Sequence, residues 1–224
     1  MNSVAKNIDC MLGMAEYPDK YFELAIVDPP YNVGASDGNF GGNKSAPSIV
    51  NGKRNAKNYA NHDKTPDKNY FDELFRISKN QIIWGSNYYP QFLYHSGAVI
   101  WDKKNDGNDV LSDCEIAFQS FNKQVKIVRI GWGGFYKEDE GNYSKIRIHP
   151  NMKPVKLYKW LLDKYAKQGD KILDTHLGSG SSRIACYDYG FDFTGFELDK
   201  DYFEAQEKRF KDHISQTNLF KPAF

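Results

Sequence analysis

Short apolar runs alternate along the chain with stretches in which apolar residues recur every three to four positions. That alternation predicts a mostly parallel sheet covered by helices. The runs at 24–27, 81–84, 98–101, 114–118, 125–130, 172–174 and 193–197 each predict a strand. Phe71, Leu74, Phe75 and Ser78 mark one face of a helix. A second helix is expected where Val155, Leu157, Tyr158, Leu161, Leu162 and Tyr165 recur, begun by Pro154 and ended by Gly169-Asp170. Two more are expected at 182–189, closed by Gly190, and at 202–210. The first strand must stop at Asp28-Pro29-Pro30-Tyr31, because two successive prolines cannot continue a ladder.

Two stretches lack periodicity. Residues 34–66 are rich in Gly, Asn, Ser and Lys and predict a long mobile loop carrying Lys44, Lys53, Arg54, Lys57 and Lys64. It is either a solvated linker or a flap that touches nucleic acid. Residues 128–151 are irregular, glycine-rich and charged, and are the compact place left for a small insert that selects a substrate. The rest reads as one domain spanning 1–224, without internal repeats.

Bulk composition narrows the classes. A chain of 224 residues suits one α/β domain with a sizeable core. The aromatic content of 15% supplies core, and also rings on which bases can stack. A net charge of +1 excludes a bulk nucleic-acid coat, though a local basic strip can still follow a phosphate backbone. Cys10, Cys114 and Cys186 are far apart and form no C-x-x-C pair, so a disulfide framework or zinc knuckle is not expected and a reducing cytosol fits. No apolar run approaches the ~20 residues that span a bilayer, and the first residues lack a signal-peptide pattern. A cytoplasmic protein is expected. The five histidines show no ligand spacing, so no metal is expected.

The segment KILDTHLGSGSS reads as strand, glycine turn and helix start. In doubly wound folds such a junction lies at the carboxyl edge of the sheet, where ligands bind. A P-loop would need Gly-Lys-Ser/Thr, and Ser181-Ser182 stands there instead. A nicotinamide site would want a third glycine near Arg183. A sulfonium nucleoside has no phosphate and escapes both demands. Asp174 suits its ammonium group, and Glu197, at the next strand end, suits its ribose hydroxyls. Gly178 and Gly180 let the backbone approach the ligand.

Asp28-Pro29-Pro30-Tyr31 carries the most information. An exocyclic amino group on a base is a poor nucleophile, because its lone pair is delocalised into the ring. Two acceptors placed off the base plane, the Asp28 carboxylate and the Pro29 carbonyl, would make the nitrogen more tetrahedral. Their hydrogen bonds would strengthen as charge grows on nitrogen. A base within a duplex must first be flipped out, and Tyr31 could stack on it for ~1–3 kcal/mol. The structural alternative is a turn that ends a strand, with Tyr31 capping the core.

These residues together resemble the amino-methylating DNA methyltransferases, in which an (Asp/Asn/Ser)-Pro-Pro-(Tyr/Phe) turn holds the target amino group. The order of the two turns resembles that family's circularly permuted beta group and its small phage-type members, and the matching segments span about 9–210. The resemblance implies a Rossmann-like, doubly wound α/β fold with a seven-stranded, mostly parallel sheet and one reversed strand. It implies S-adenosylmethionine as cofactor, S-adenosylhomocysteine as product, double-stranded DNA as partner, and allows a homodimer. His149-Pro150-Asn151-Met152-Lys153-Pro154 resembles the family's His-Pro-x-x-Lys-Pro stretch, in which Lys153 would face the cofactor carboxylate. Asp174, Gly178, Gly180 and Ser182 match the family's glycine turn, with Thr175-His176-Leu177 replacing the usual Pro-Phe-x. Asp9 and Cys10 resemble the acidic segment near the cofactor adenine, and Trp84-Gly85-Ser86-Asn87 resembles a Trp-Gly-Gly-Asn segment.

Cytosine C5 chemistry needs a Pro-Cys nucleophile, and no cysteine here follows a proline. Adenine N6 and cytosine N4 share one geometry. N4 members more often carry Ser first in the turn, so Asp28 favours adenine, with cytosine N4 as the alternative. Protein-glutamine methylation usually accompanies an Asn-Pro-Pro-Tyr turn and ranks below both. A Rossmann-like DNA-binding domain without catalysis also stands. Lys145, Arg147, Lys153, Lys156 and Lys159 cluster near the insert. Candidate DNA contacts are Lys53, Arg54, Lys57, Trp132, Lys145 and Arg147.

Overall fold

Eight strands form the main sheet: β1 (Ser3–Asn7), β2 (Phe22–Val27), β3 (Ser78–Trp84), β4 (Gly97–Asp102), β5 (Cys114–Gln119), β6 (Val125–Arg129), β7 (Lys171–Asp174) and β8 (Asp192–Glu197). Their order is β1-β8-β7-β2-β3-β5-β4-β6. Every neighbouring pair is parallel except those made by β5, which runs against β3 and β4. The helices are α1 (Cys10–Ala15), α2 (Lys68–Ile77), α3 (Val155–Tyr165), α4 (Ser181–Tyr189) and α5 (Lys200–Leu219). The computed structural model describes residues 1–31, 39–40, 43–44, 49–50, 53–54, 65–93, 97–105, 112–133, 136–137, 148–149 and 151–219.

The central strands are buried on both sides, and their residues alternate between two cores. Along β2, Leu24 and Ile26 face a core shared with Leu157, Leu161 and Ala185 of α3 and α4. Ala25 and Val27 face the other, with Met14 of α1 and Phe71, Leu74 and Ile77 of α2, and Phe22, at the start of the strand, packs there too, outside the alternation. This is the period-two pattern of a sheet with helices on both faces.

The expected sheet of seven strands is therefore corrected to eight. The strand that periodicity misses is β1, whose SVAKN has just two apolar residues and no fully buried position. It is an edge strand, paired to β8 alone. Helix α5 runs nine residues past its expected end at Phe210. Toward its second half the described residues make charge pairs, Lys208–Asp212 at 2.7 Å and His213–Asp188 at 2.6 Å.

Within the expected loop 34–66 and insert 128–151, the structure describes three antiparallel two-residue ladders: Asn39–Phe40 with Asn43–Lys44, Ile49–Val50 with Lys53–Arg54, and Trp132–Gly133 with Tyr136–Lys137. Most of the remaining residues of both stretches, including Lys57, Lys145 and Arg147, lie outside the described residues. No helix among the described residues is long and apolar enough to cross a membrane.

Candidate active site

The chain leaves β2 toward β3 on one side of the sheet, and later leaves β7 toward β8 on the other. β2 and β7 are neighbours, with Leu24 opposite Ile172 and Ala25 opposite Leu173. Their carboxyl ends flank the topological switch point, where open α/β sheets bind ligands. Asp28 follows β2 and Asp174 ends β7, so the two turns singled out in the sequence sit side by side.

Around Asp28 lies a row of four charges. The Lys153 ammonium pairs with Asp28 Oδ2 and sits 3.0 Å from Glu115 Oε2. The other Glu115 oxygen lies 2.7 Å from Lys103 Nζ. Four segments converge here because β5 is reversed. Its amino-terminal end, with Glu115 opposite Trp101, reaches the edge where the parallel strands have their carboxyl ends. The Lys153 side chain is 3% exposed, so its charge depends on these partners. Burial pulls the Lys153 ammonium down, but Asp28 and Glu115 outweigh it and hold it well above the ordinary lysine value. Burial also pushes Glu115 up, and Lys153 and Lys103 together bring it below the ordinary carboxylate value. Asp28 stays raised by burial, which Lys153 only partly offsets. Its second oxygen, Oδ1, is buried and has no hydrogen-bond partner among the described residues.

The turn itself is clamped. The Tyr89 hydroxyl lies 2.7 Å from the Pro30 carbonyl and 3.0 Å from the Pro29 carbonyl, and donates its one proton between them. Tyr31 stacks on Tyr88, with ring centroids 4.5 Å apart and planes 4° from parallel. The Tyr31 ring also lies against Gly85, where a Cβ would stand 2.6 Å from Cδ1 and where φ is +67°. Gly85 is therefore required twice, by space and by backbone.

At the glycine turn, Gly178 and Gly180 have φ of +50° and +72°. Asp174 is buried, and both of its oxygens are engaged: Ser182 Oγ donates at 2.5 Å and the His176 N–H at 3.0 Å. No cationic side chain among the described residues pairs with it, and burial pushes its carboxyl up to about 7. Glu197 ends β8 and accepts from the Gly178 N–H at 2.8 Å and the Asp199 N–H at 2.9 Å. β1 pairs with β8, so Asp9 and Cys10 follow at the same edge. Asp9 caps α1, accepting from the Met11 N–H at 2.8 Å. Cys10 Sγ lies 4.0 Å from His176 Nε2, and Nδ1 of that ring lies 2.9 Å from Thr175 Oγ1. Burial pushes the Cys10 thiol up to about 12 and His176 down to about 4, so both are neutral near pH 7.

The structure thus gathers Asp9, Cys10, Asp28, Lys153, Asp174, Gly178, Gly180, Ser182 and Glu197 along one sheet edge. Lys153, expected to face a cofactor carboxylate, has its ammonium between Asp28 and Glu115. The basic cluster is not one free strip: Lys153 is buried, and Lys159 pairs with Asp188 at 2.7 Å. Trp132 is half-buried and packs against the first of the two cores. Of Lys53 and Arg54 only the ladder backbone is described. Sequence reasoning missed Glu115, Lys103, Tyr88 and Tyr89. The one available signal was an acid within the otherwise apolar strand CEIAF.

A buried carboxylate at the start of a rigid proline turn, with one oxygen unpaired among the described residues, beside a glycine turn at the switch point, defines a Rossmann-like α/β protein of the methyltransferase class. The chain belongs to the DNA methylase family of N6/N4 type, whose family model matches residues 50–208. It is 25% identical over 142 residues to the type II methyltransferase M2.LlaDCHI of Lactococcus lactis subsp. cremoris, covering 61% of this chain and 52% of that protein. The match thus spans about half the length of that relative. It is 24% identical over 222 residues to YubD of Escherichia coli (strain K12), a methylase by name, covering 90% of this chain and 87% of that one. The fold is shared with the M1.HpyAVI–SAM complex at a TM-score of 0.58 and 17% identity, covering 93% of this chain and 98% of that chain. It is also shared with the cytosine-N4-specific PvuII DNA methyltransferase at a TM-score of 0.60 and 13% identity, covering 96% and 92%.

Proposed function

We propose that this protein transfers a methyl group from S-adenosylmethionine to adenine N6 in double-stranded DNA, after the base has been flipped out. The observation that carries the reading is Asp28 Oδ1, a buried acceptor without a partner among the described residues, in the rigid turn that also offers the Pro29 carbonyl. A buried carboxylate oxygen costs free energy until something donates to it, and an exocyclic amino group supplies that donor. The residues also fit the cofactor. Asp174 is a buried carboxylate without a counter-cation, which a methionine ammonium would provide.

When bound, S-adenosylmethionine supplies an electrophilic methyl group on a sulfonium and leaves as neutral S-adenosylhomocysteine. Asp174 would hold the ammonium and Glu197 the ribose hydroxyls, with Asp9 and Cys10 on the adenine side. Gly178, Gly180 and Ser182 shape the turn that receives it. Lys153 fixes Asp28 Oδ2 and so decides which oxygen is offered. Asp28 Oδ1 and the Pro29 carbonyl accept the two amino protons and turn the nitrogen lone pair out of the base plane. Both hydrogen bonds strengthen as positive charge grows on nitrogen. Asp28 is then placed to take the proton that the methylated nitrogen releases. Tyr31 stacks on the flipped base. Lys53, Arg54, Lys57, Trp132, Lys145 and Arg147 are proposed to contact the duplex, and a homodimer is open to measurement by sedimentation.

The fold shared with the cytosine-N4-specific PvuII enzyme favours a second reading, the same chemistry on cytosine N4. One experiment separates the two. Duplex DNA is incubated with methyl-labelled cofactor and digested to nucleosides, and the labelled product is identified by mass. N6-methyldeoxyadenosine that disappears with Asp28→Ala, while the variant still binds cofactor, is the expected result. Label in N4-methyldeoxycytidine would overturn the base assignment. Absence of cofactor binding by the wild type would overturn the whole reading.

A further inference from the structure

The charge row at Asp28 is longer than acceptor geometry requires. One lysine suffices to fix Asp28 Oδ2, yet Lys153 also lies 3.0 Å from Glu115, and Glu115 lies 2.7 Å from Lys103. The extra pair sits on a rigid floor. Lys153 Nζ lies 5.6 Å from the centroid of Trp84 and Lys103 Nζ 5.3 Å from that of Trp101. The two indoles are buried and pack edge to face at 6.2 Å. Cations over indole faces gain further attraction, so both ammonium groups have fixed places.

A lone Lys153–Asp28 pair would be neutral and would draw acceptor strength away from Oδ1 as well. Glu115 pulls the same ammonium from the other side. Glu115 also pairs directly with Lys103, which acts on Asp28 only at longer range, and among the described residues Asp28 pairs directly with Lys153 alone. The carboxylate with two lysines is the better stabilised anion, and the other remains the stronger acceptor.

We propose that Glu115 and Lys103 are positioning residues for methyl transfer, acting through Lys153 to set how strongly Asp28 Oδ1 accepts from the target amino group. This rests on the proposed amino methyl transfer. It assigns the reversed strand β5 and the end of β4 a part in the chemistry although neither touches the reacting atoms.

Besides the row itself, Tyr31 from the turn, Tyr158 from α3 and Asp174 from β7 act electrostatically on these groups. Burial raises both tyrosines above their ordinary value, so they stay neutral through the working range. Asp174 is the confounder, and saturating cofactor keeps it ionised. Under that condition the pH profile of kcat is measured for the wild type, Glu115→Gln, Glu115→Asp and Lys103→Met.

Glu115→Gln removes an anion that raises Asp28, so the acid limb moves to lower pH and the plateau kcat falls on the order of tenfold. Lys103→Met removes a cation that lowers Asp28, so the acid limb moves to higher pH. Each displacement is about half a pH unit, below the ~1–3 of a directly touching charge. Glu115→Asp regains part of the lost rate, and KM for cofactor and DNA hardly changes. A merely structural role cannot move the two limbs in opposite directions. Equal profiles, or displacements of the same sign, overturn the inference. Titration of the Asp28 carboxyl by carbon NMR, assigned with Asp28→Asn, tests the same opposite displacements without turnover. If wild-type protein transfers no methyl group, the function reading falls, and the titration alone decides whether Glu115 and Lys103 tune Asp28.

Discussion

Asp174 makes a prediction at the scale of a single residue. Its carboxyl is held up to about 7 in the free protein because burial opposes its charge. A bound ammonium would favour the ionised form, so below pH 7 binding must first displace a proton. Cofactor affinity should then fall by about tenfold per pH unit below 7, and calorimetric titrations between pH 5.5 and 8 would show it. Asp174→Asn should bind weakly with little pH dependence. An equally steep dependence in that variant would assign the effect to another group. The sign for folding is opposite. A raised carboxyl contributes stability that is fully present below its unfolded value near 4 and is lost as pH rises through 7. Cofactor should therefore raise the melting temperature more at pH 8 than at pH 5.5. Asp28, Asp174 and Glu197 were legible in the sequence because Pro29-Pro30 and Gly178-Gly180 mark the turns beside them. Glu115, Lys103 and Tyr89 were not, because their meaning comes from which strand ends share an edge.

Among the elements, the turn after β3 tests whether Tyr31 must be held in place. A Cβ at Gly85 would press on the Tyr31 ring and force a left-handed backbone on alanine. Gly85→Ala should cost ~1–3 kcal/mol of stability and lower methyl transfer more than cofactor binding. Thermal unfolding together with a transfer assay reads both, and wild-type values in each would remove Tyr31 placement from the argument. Tyr89→Phe keeps the ring in the core but removes the proton shared by the Pro29 and Pro30 carbonyls. It should lower kcat about tenfold with an unchanged KM for cofactor, the pattern of an interaction that matters in the transition state; a raised KM at constant kcat would argue otherwise. Legibility of elements followed burial. Strands buried on both faces, such as β2 and β8, stood out as apolar runs, and β1 did not because an edge strand need not be apolar. The second half of α5 was hidden for a related reason, since charge pairs leave no hydrophobic period.

For the molecule as a whole, a net charge of +1 means that any grip on DNA is local. Alanine at Lys53, Arg54 and Lys57 together should weaken duplex binding and flatten its dependence on salt by up to about three in log–log slope. An unchanged slope would place the phosphate contacts elsewhere. A mostly parallel sheet covered by helices was readable from alternation, and one reversed strand from the family resemblance, but that β5 is the reversed one was not, because an apolar run carries no sign of which way it runs. That direction has a consequence for how this chemistry can vary between relatives. β4 and β5 form one antiparallel unit, and a slip of one residue in their register would turn Glu115 to the opposite side of the sheet. A change in that register would retune the acceptor while leaving every letter of the Asp-Pro-Pro-Tyr signature in place, so two chains with the same signature need not have the same reactivity.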